Sequence, residues 1–214
     1  MPVPAHPKIY HIVHVDRLRS ILDASRLWSD HEMAGRAPVG TTIGMGKIKQ
    51  NRLTFPVKCW PGDVVGQYVP FYFCSRSIML FVLHCANNPD LAYRGGQGPI
   101  VHLEADLRTV IAEADTRAAR WAIALSNAGS RYAEFRRGVD GLEEVDWDAV
   151  ANRDFRNPDV KERKQAEFLV KRSFPWRLVE RIGVASSQVA QQVADVMAGA
   201  AHRPPVEIRR DWYF

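Results

Sequence analysis

Glu167 is the lone acid in the apolar run of KQAEFLVK. An ionised carboxylate inside such a run costs free energy unless it is paired or put to chemical use. An edge strand with Glu167 facing water is the other reading. Lys47, Lys49, Arg52 and Lys58 follow one another with no acid between them. Such a stretch suits the phosphates of a nucleotide or of a nucleic-acid backbone, or else forms a solvated basic face. The segment GQYVPFYFCSRSIMLF, Gly66 to Phe81, sets Tyr68, Phe71, Tyr72 and Phe73 beside Arg76 and a short hydroxyl cluster. It reads as a core strand followed by a helix. It also reads as an aromatic slot with a cation inside, able to stack a planar ring and hold a phosphate.

Other chemistries fail on spacing. His11 and His14 form HxxH, but residues three apart on a strand face opposite sides, so a shared metal is not expected. His102, Glu104 and Asp106 alternate on one strand face. The zinc deaminase pattern they evoke needs a later PCxxC, and no cysteine follows Cys85. His102 reads instead as a satisfied, half-buried strand histidine. Cys59, Cys74 and Cys85 are an odd number without a CxxC pair, which points to reduced thiols rather than disulfides or zinc. There is no GxGxxG after a strand and no GxxxxGK[ST]; GMGK at Gly44 to Lys47 is only a fragment.

The elements that must position these residues are legible in outline. Lys8 to Val13 reads as a strand, followed by a helix over Val15 to Ala24 with Leu18, Ile21 and Leu22 at helical spacing. Gly35, Pro38, Gly40, Gly44 and Gly46 mark a loose loop running into a short helix. Thr54 to Lys58 and Val69 to Phe73 read as strands. Ser77 to Cys85 fits a helix or a buried strand equally. Ile100 to Glu104 alternates as a strand, and Asp106 is placed to cap a helix through about Ala114. Arg117 to Asn157 reads as charged and irregular, anchored by Trp121 and Trp147. Ala166 to Val170 and Val179 to Val184 read as strands. Ser187 opens a helix whose apolar face holds Val189, Val193, Val196 and Met197, and Val206 to Ile208 closes the sheet. No regular βαβ rhythm appears, so the fold class is α+β.

The 214 residues are 46% hydrophobic and 25% charged. That mix excludes a disordered tail, a collagen-like fibre and a cysteine-stapled miniprotein. The length suits one domain with a sizeable core, 1–214. Residues 1–60 hold nine cationic and four anionic side chains, a surplus equal to the whole net charge of +5. The apolar run Ser77 to Ala86 falls far short of the roughly 20 residues of a membrane span. MPVPAHPK lacks an apolar signal core. A soluble, cytoplasmic protein with no membrane partner is expected.

Four segments taken together, IYHIVHVDRLRSIL, GKIKQNRLTFPV, VGQYVPFYFCSRSIMLFV and KQAEFLVKRSFPWRLVERIGV, resemble the DarT family of DNA ADP-ribosyltransferase toxins, in order through almost the whole chain. The resemblance implies an ADP-ribosyltransferase-like fold, with two facing, mainly antiparallel sheets, peripheral helices and NAD in the cleft. It implies transfer of ADP-ribose from NAD onto a base of single-stranded DNA, with NAD as substrate and no metal. It places Arg52 on the family's essential arginine and Glu167 on its glutamate. His14, Tyr72 and Arg76 fall on the NAD site; by general chemistry the ring of Tyr72 or Phe71 can stack on nicotinamide and the fork of Arg52 can grip the pyrophosphate. Lys47 and Lys49 form a DNA track, joined by Arg117, Arg153 and Arg156 on a substrate-facing loop from about Arg117 to Asn157. The family often has prolines where this chain has Ser75 and Ile78. NNPDLAYRGGQGPIVHLEADL looks like a branch that modifies guanine rather than thymine. A macrodomain antitoxin, DarG-like, is the implied partner. Two rival readings stay open: a non-catalytic single-strand binding module, and an ADP-ribosyltransferase acting on RNA or protein.

Overall fold

Short strands, the central ones buried along nearly their whole length, build the frame, and a computed structural model describes it for residues 1–37 and 39–214. Pro38 of the expected glycine-rich loop lies outside the described residues. The strands are β1 (Lys8–His14), β2 (Arg26–Trp28), β3 (Tyr68–Tyr72), β4 (Ile100–Asp106), β5 (Trp121–Ala124), β6 (Phe135–Arg136), β7 (Glu167–Lys171), β8 (Ser173–Pro175), β9 (Arg181–Val184) and β10 (Val206–Ile208). The helices are α1 (Leu18–Ala24), α2 (Asp30–Ala34), α3 (Gly46–Arg52), α4 (Ile78–Cys85), α5 (Leu107–Thr116), α6 (Trp147–Ala151), α7 (Pro158–Arg163) and α8 (Ser187–Met197). Eight strands form one sheet in the order β10-β9-β4-β1-β3-β7-β5-β6, and β2 pairs with β8 beside it. All pairs are antiparallel except β9 with β10. The class is α+β, as expected.

The large sheet is nearly two sheets. β1 and β4 share seven register pairs, but β1 and β3 share one, Tyr10↔Tyr72. Beyond that pair the strands part. The gap is bridged by a side chain: the His11 ring meets the Pro70 carbonyl at 2.7 Å through Nδ1. Since a carbonyl only accepts, Nδ1 carries the hydrogen and donates it. The expected pair of facing sheets thus takes the form of two four-stranded halves hinged at one residue pair.

One face of the sheet carries the main core. Val69, Phe71 and Phe73 alternate into it with Phe168, Val170, Phe174, Trp121 and Trp147. Gly183 leaves room for Trp212, whose ring atoms would lie 2.3 Å from any Cβ added there. Helix starts follow their caps. Asp106 accepts from the Thr109 amide, Ser77 from that of Leu80 and Ser186 from that of Val189. The Ser77 cap resolves Ser77 to Cys85 as a helix.

Three expectations need correction. Thr54 to Lys58 forms no strand, because only the isolated bridge Pro56↔Val64 joins it to a neighbour. The stretch from Arg117 to Asn157 is not irregular throughout: β5, β6 and α6 lie within it. Trp121 and Trp147 are buried anchors as read. His102 is wholly buried, not half-buried; Nε2 donates to Ser75 O at 2.9 Å while Nδ1 has no partner.

Burial drives both His11 and His102 down to about 4, from an ordinary value of 6.5. The unfolded chain therefore takes up protons first as the pH falls. This contribution to stability is full above about pH 6.5. Between there and about pH 4 it declines by about 1 kcal/mol per pH unit for each ring. Melting temperature should fall over that window, and His11→Gln should flatten the decline. An unchanged pH profile in the variant would remove His11 as a source.

Candidate active site

Arg52 and Glu167 meet 115 residues apart in sequence as a buried, two-point ion pair. Arg52 Nη1 donates to Oε1 at 3.1 Å and Nη2 to Oε2 at 3.0 Å. The two side chains are 9% and 4% exposed. Three elements make the pair. Helix α3 ends on Arg52 and turns Ile48, Lys49 and Arg52 toward the cavity. Strand β7 begins at Glu167, between Tyr72 of β3 and Ala124 of β5. That central position rules out the edge-strand reading. The loop between β5 and β6 sends the Ala128 amide to Glu167 Oε1 at 3.1 Å and is tied to Gln165 by Asn127 Nδ2 at 3.1 Å. Burial alone would lower the Arg52 pKa, but the charge and hydrogen bonds of Glu167 outweigh it and raise the value. Burial and the neighbouring Glu167 charge also push Tyr72 well above its ordinary range, so its phenol stays protonated.

The pair forms one wall of a cavity of about 460 Å³ in the gap between β1 and β3. Tyr72, Met79 and Trp28 supply flat or soft apolar surface. Arg17, Arg26, Arg36 and Lys49 add four cations besides Arg52, against Asp30 and Glu167. Lys49 pairs with Asp30 at 3.0 Å. The Trp28 ring is flanked by the guanidinium groups of Arg26 and Arg36, 5.0 and 4.4 Å from its centroid. Its indole Nε1 is buried without a partner. An unused donor among surplus cations, beside planar apolar surface, fits a dinucleotide with an anionic pyrophosphate.

The other expected site residues are dispersed. Tyr72 lines the cavity. Phe71 does not: on a strand of period two it faces the core, 4.7 Å from Phe174, and cannot stack on a ligand. Arg76 lies outside this cavity, in a second hollow with Arg153. His14 stands beside the cavity rather than on its wall. Its Nδ1 meets Asp16 at 2.9 Å, and Asp16 accepts from the Thr41 amide at 2.9 Å, which fixes a stretch that does line it. Lys47 is exposed on α3 away from the cavity, unlike Lys49. Arg117 pairs with Glu113 at the end of α5, beyond the end of β5 remote from Glu167. It therefore stands apart from the Arg52–Glu167 pair. Arg156 is exposed and neutralised by Asp154 at 2.6 Å.

Reasoning from sequence missed Trp28, Met79, Asn127 and Gln165. Of the expected loop from about Arg117 to Asn157, only part adjoins Glu167. The part beside Glu167 is 125–134, which carries exposed Arg131 and Tyr132, the latter 82% exposed. The pattern QAE, with an amide two residues before the lone acid, was the available signal for Gln165.

A split sheet with a buried Arg–Glu pair beside a cationic, aromatic cavity defines a site of the ADP-ribosyl-transferring class. The family model described as "ssDNA thymidine ADP-ribosyltransferase, DarT" matches residues 10–214, and the chain belongs to that family. A DNA ADP-ribosyl transferase of Thermus sp. (strain 2.9) is 36% identical over 99% of this chain and 98% of its own length. The solved structure of Thermus sp. 2.9 DarT in complex with ADP-ribosylated ssDNA superposes with a TM-score of 0.90 at 33% identity, covering 100% of this chain and 99% of that one. The complex of Thermus sp. 2.9 DarT with NAD+ gives 0.81 at 32% identity, over 99% of each chain.

Removing one partner of the pair leaves a buried, uncompensated charge. Arg52→Met should cost about 3–5 kcal/mol of stability, and the double variant Arg52→Met/Glu167→Leu should recover most of it. Denaturant midpoints of the two variants check this. A double variant as unstable as the single one would show that the pair itself carries the stability.

Proposed function

We propose that this chain transfers ADP-ribose from NAD to a base of single-stranded DNA, with thymine as the acceptor. The buried Glu167 beside a dinucleotide-sized cationic cavity is the observation that carries the reading. Cavity cations accept the pyrophosphate, and Tyr72 and Met79 offer surface for the nicotinamide ring. The fork of Arg52 is turned onto Glu167. Its first task is therefore to hold the carboxylate, and the pyrophosphate falls to Arg17, Arg26, Arg36 and Lys49 with the N–H groups that Arg52 has left.

In the reaction the bond from ribose C1′ to the nicotinamide nitrogen breaks, and its electron pair neutralises the pyridinium. Positive charge develops on the ribose, as in glycosidic cleavage, and Glu167 stabilises it. A ring nitrogen of the base bonds to C1′ and gives up its proton, for which Glu167 is the acceptor within the site. A pure single-strand binding module has no use for a buried acid, and such an acid would oppose DNA. That argument favours the enzyme over the binding rival.

Thymine is preferred over the guanine expected from the segment after Asn87. No residue of 88–106 lines the cavity, and the family's own description names thymidine. A macrodomain antitoxin that removes the mark stays part of the proposal through the family resemblance.

Glu167→Gln, assayed well below its lowered melting point, should still bind NAD while transfer falls by about three orders of magnitude. Transfer at the wild-type rate would end the assignment. A second measurement addresses the acceptor. Oligonucleotides lacking thymine, or lacking guanine, are incubated with NAD and weighed by mass spectrometry, alongside a duplex and its separated strands, and labelled RNA and protein pools. Label should require thymine and single-stranded DNA, since extruding a base from a duplex costs a few kcal/mol. Label that survives without thymine and needs guanine restores the other base and leaves the class standing.

A further inference from the structure

The residues displaced from the expected site assemble a second one. Arg76, Arg153 and Lys164 converge on a hollow of about 190 Å³. Lys164 is 3% exposed, and its ammonium donates to the Val150 carbonyl at 2.6 Å and lies against the Cys74 thiol, with no carboxylate partner among the described residues. The guanidinium of Arg76 lies 4.3 Å from the Phe214 ring centroid, and its Nε is buried with no partner. None of the three cations pairs with a carboxylate among the described residues. One acid, Asp211, lines the hollow, and Arg209 already holds it through two bonds of 3.1 and 2.9 Å. A buried, unpaired ammonium is costly, and three cations against one engaged acid leave the hollow short of negative charge.

The hollow is built rather than incidental. His102 anchors the Ser75 carbonyl at 2.9 Å, and Ser77 caps α4, so the turn carrying Arg76 is held at both ends. Trp212 packs on His102 and forms another wall. Aromatic side chains border the hollow without lining it: Phe214 lies under Arg76, and Phe155, two residues after Arg153, meets Phe81 and Phe214 edge-on, with centroids at 5.1 and 5.9 Å.

Its position relates it to the first cavity. Tyr72 and Gln165 line that cavity, while Cys74 and Lys164 line the hollow. The same two chain segments therefore separate the two sites. Along the chain the two linings adjoin: Tyr72 and Cys74 are two residues apart, and Lys164 and Gln165 are neighbours.

We infer that the Arg76–Arg153–Lys164 hollow is a phosphate pocket that seizes a backbone phosphodiester of the DNA strand near the reacting base, with the Phe155 rim stacking a flanking base. This rests on the single-stranded DNA reading above. Unpaired cations wait there for a ligand that brings the missing charge, and base stacking beside a cationic groove is how single strands are held without sequence preference.

The test measures binding of a fluorescent single-stranded oligonucleotide by anisotropy across a salt series, and KM for oligonucleotide and for NAD, in three proteins. Arg76→Gln/Arg153→Gln should bind DNA roughly tenfold or more weaker, with a salt slope shallower by about 0.7 for each lost phosphate contact. Lys164→Gln keeps a donor for Val150 O and removes the charge. It should weaken DNA binding and yet melt at or above the wild-type temperature, because it relieves an unpaired buried cation. A lysine that merely supports the fold would lower the melting temperature instead, which overturns the proposal. So does a wild-type salt slope in the double variant, or a rise in KM for NAD alone, which would assign the hollow to the dinucleotide. If the wild-type protein binds no single-stranded DNA, the functional reading falls and the pocket with it. If the wild type binds and the variants bind equally, only the pocket falls.

Discussion

The two-point bond between Arg52 and Glu167 is the constraint around which the rest of the site is arranged. A carboxylate 4% exposed and a guanidinium 9% exposed can be buried together only if each satisfies the other. The geometry must be good enough to offset the loss of water. That requirement sets the end of α3, the start of β7 and the path of the loop through Ala128 at once. It also explains why the acid lies in a central strand. There, flanking strands exclude water on both sides and Tyr72 stands opposite across the ladder. A hydrophobic pair of the same size would satisfy the packing equally well, so retention of the charges points to chemistry rather than to stability.

The cavity follows from a second constraint, the failure of β1 and β3 to pair along their length. A continuous ladder would close the sheet and leave no room between His11 and Pro70. A single shared pair, Tyr10↔Tyr72, hinges the halves, and the His11 side chain takes over the role of a ladder bond. A proline in β3 suits this, since Pro70 has no amide to leave unsatisfied on the open side while its carbonyl accepts from His11. The opening and the position opposite the buried carboxylate therefore come from the same stretch of backbone: Pro70 borders the gap and Tyr72, two residues on, pairs with Glu167 across the ladder.

How far this was legible in sequence depended on the kind of signal. Caps and clear periodicity were readable: Asp106 before α5, Ser77 before α4, and the apolar stripe of α8. So was the oddity of Glu167, because a lone acid in an apolar strand is a local anomaly. The face of a strand was not. In YVPFY, period two separates Tyr72 from Phe71, but which set meets the core depends on partners about 100 residues away, such as Phe168 and Phe174. β5 was hidden because WAIA is four residues long and follows a charged turn. The short strand becomes recognisable only when β7 lies beside it. Arg76 was read with Tyr72 as part of the NAD site and apart from Arg153, since nothing local shows that Tyr72 and Cys74, two residues apart, line different hollows.

That separation has a consequence for how charge is distributed. A protein handling a dinucleotide and a nucleic-acid strand together faces two polyanions that repel each other, and one shared set of cations would leave either ligand competing for the other's partners. Here Arg17, Arg26, Arg36 and Lys49 border the first cavity, while Arg76, Arg153 and Lys164 border the second, with β3 and the residues before β7 between them. All four cations of the first set come from the basic residues 1–60, and none of the second does. The second is drawn from regions of balanced composition, where most other cations, such as Arg156 and Arg136, are neutralised by nearby acids. A count of charge along the chain therefore finds the first site and overlooks the second. Position and the lack of a carboxylate partner, rather than number, mark the cations of the second hollow.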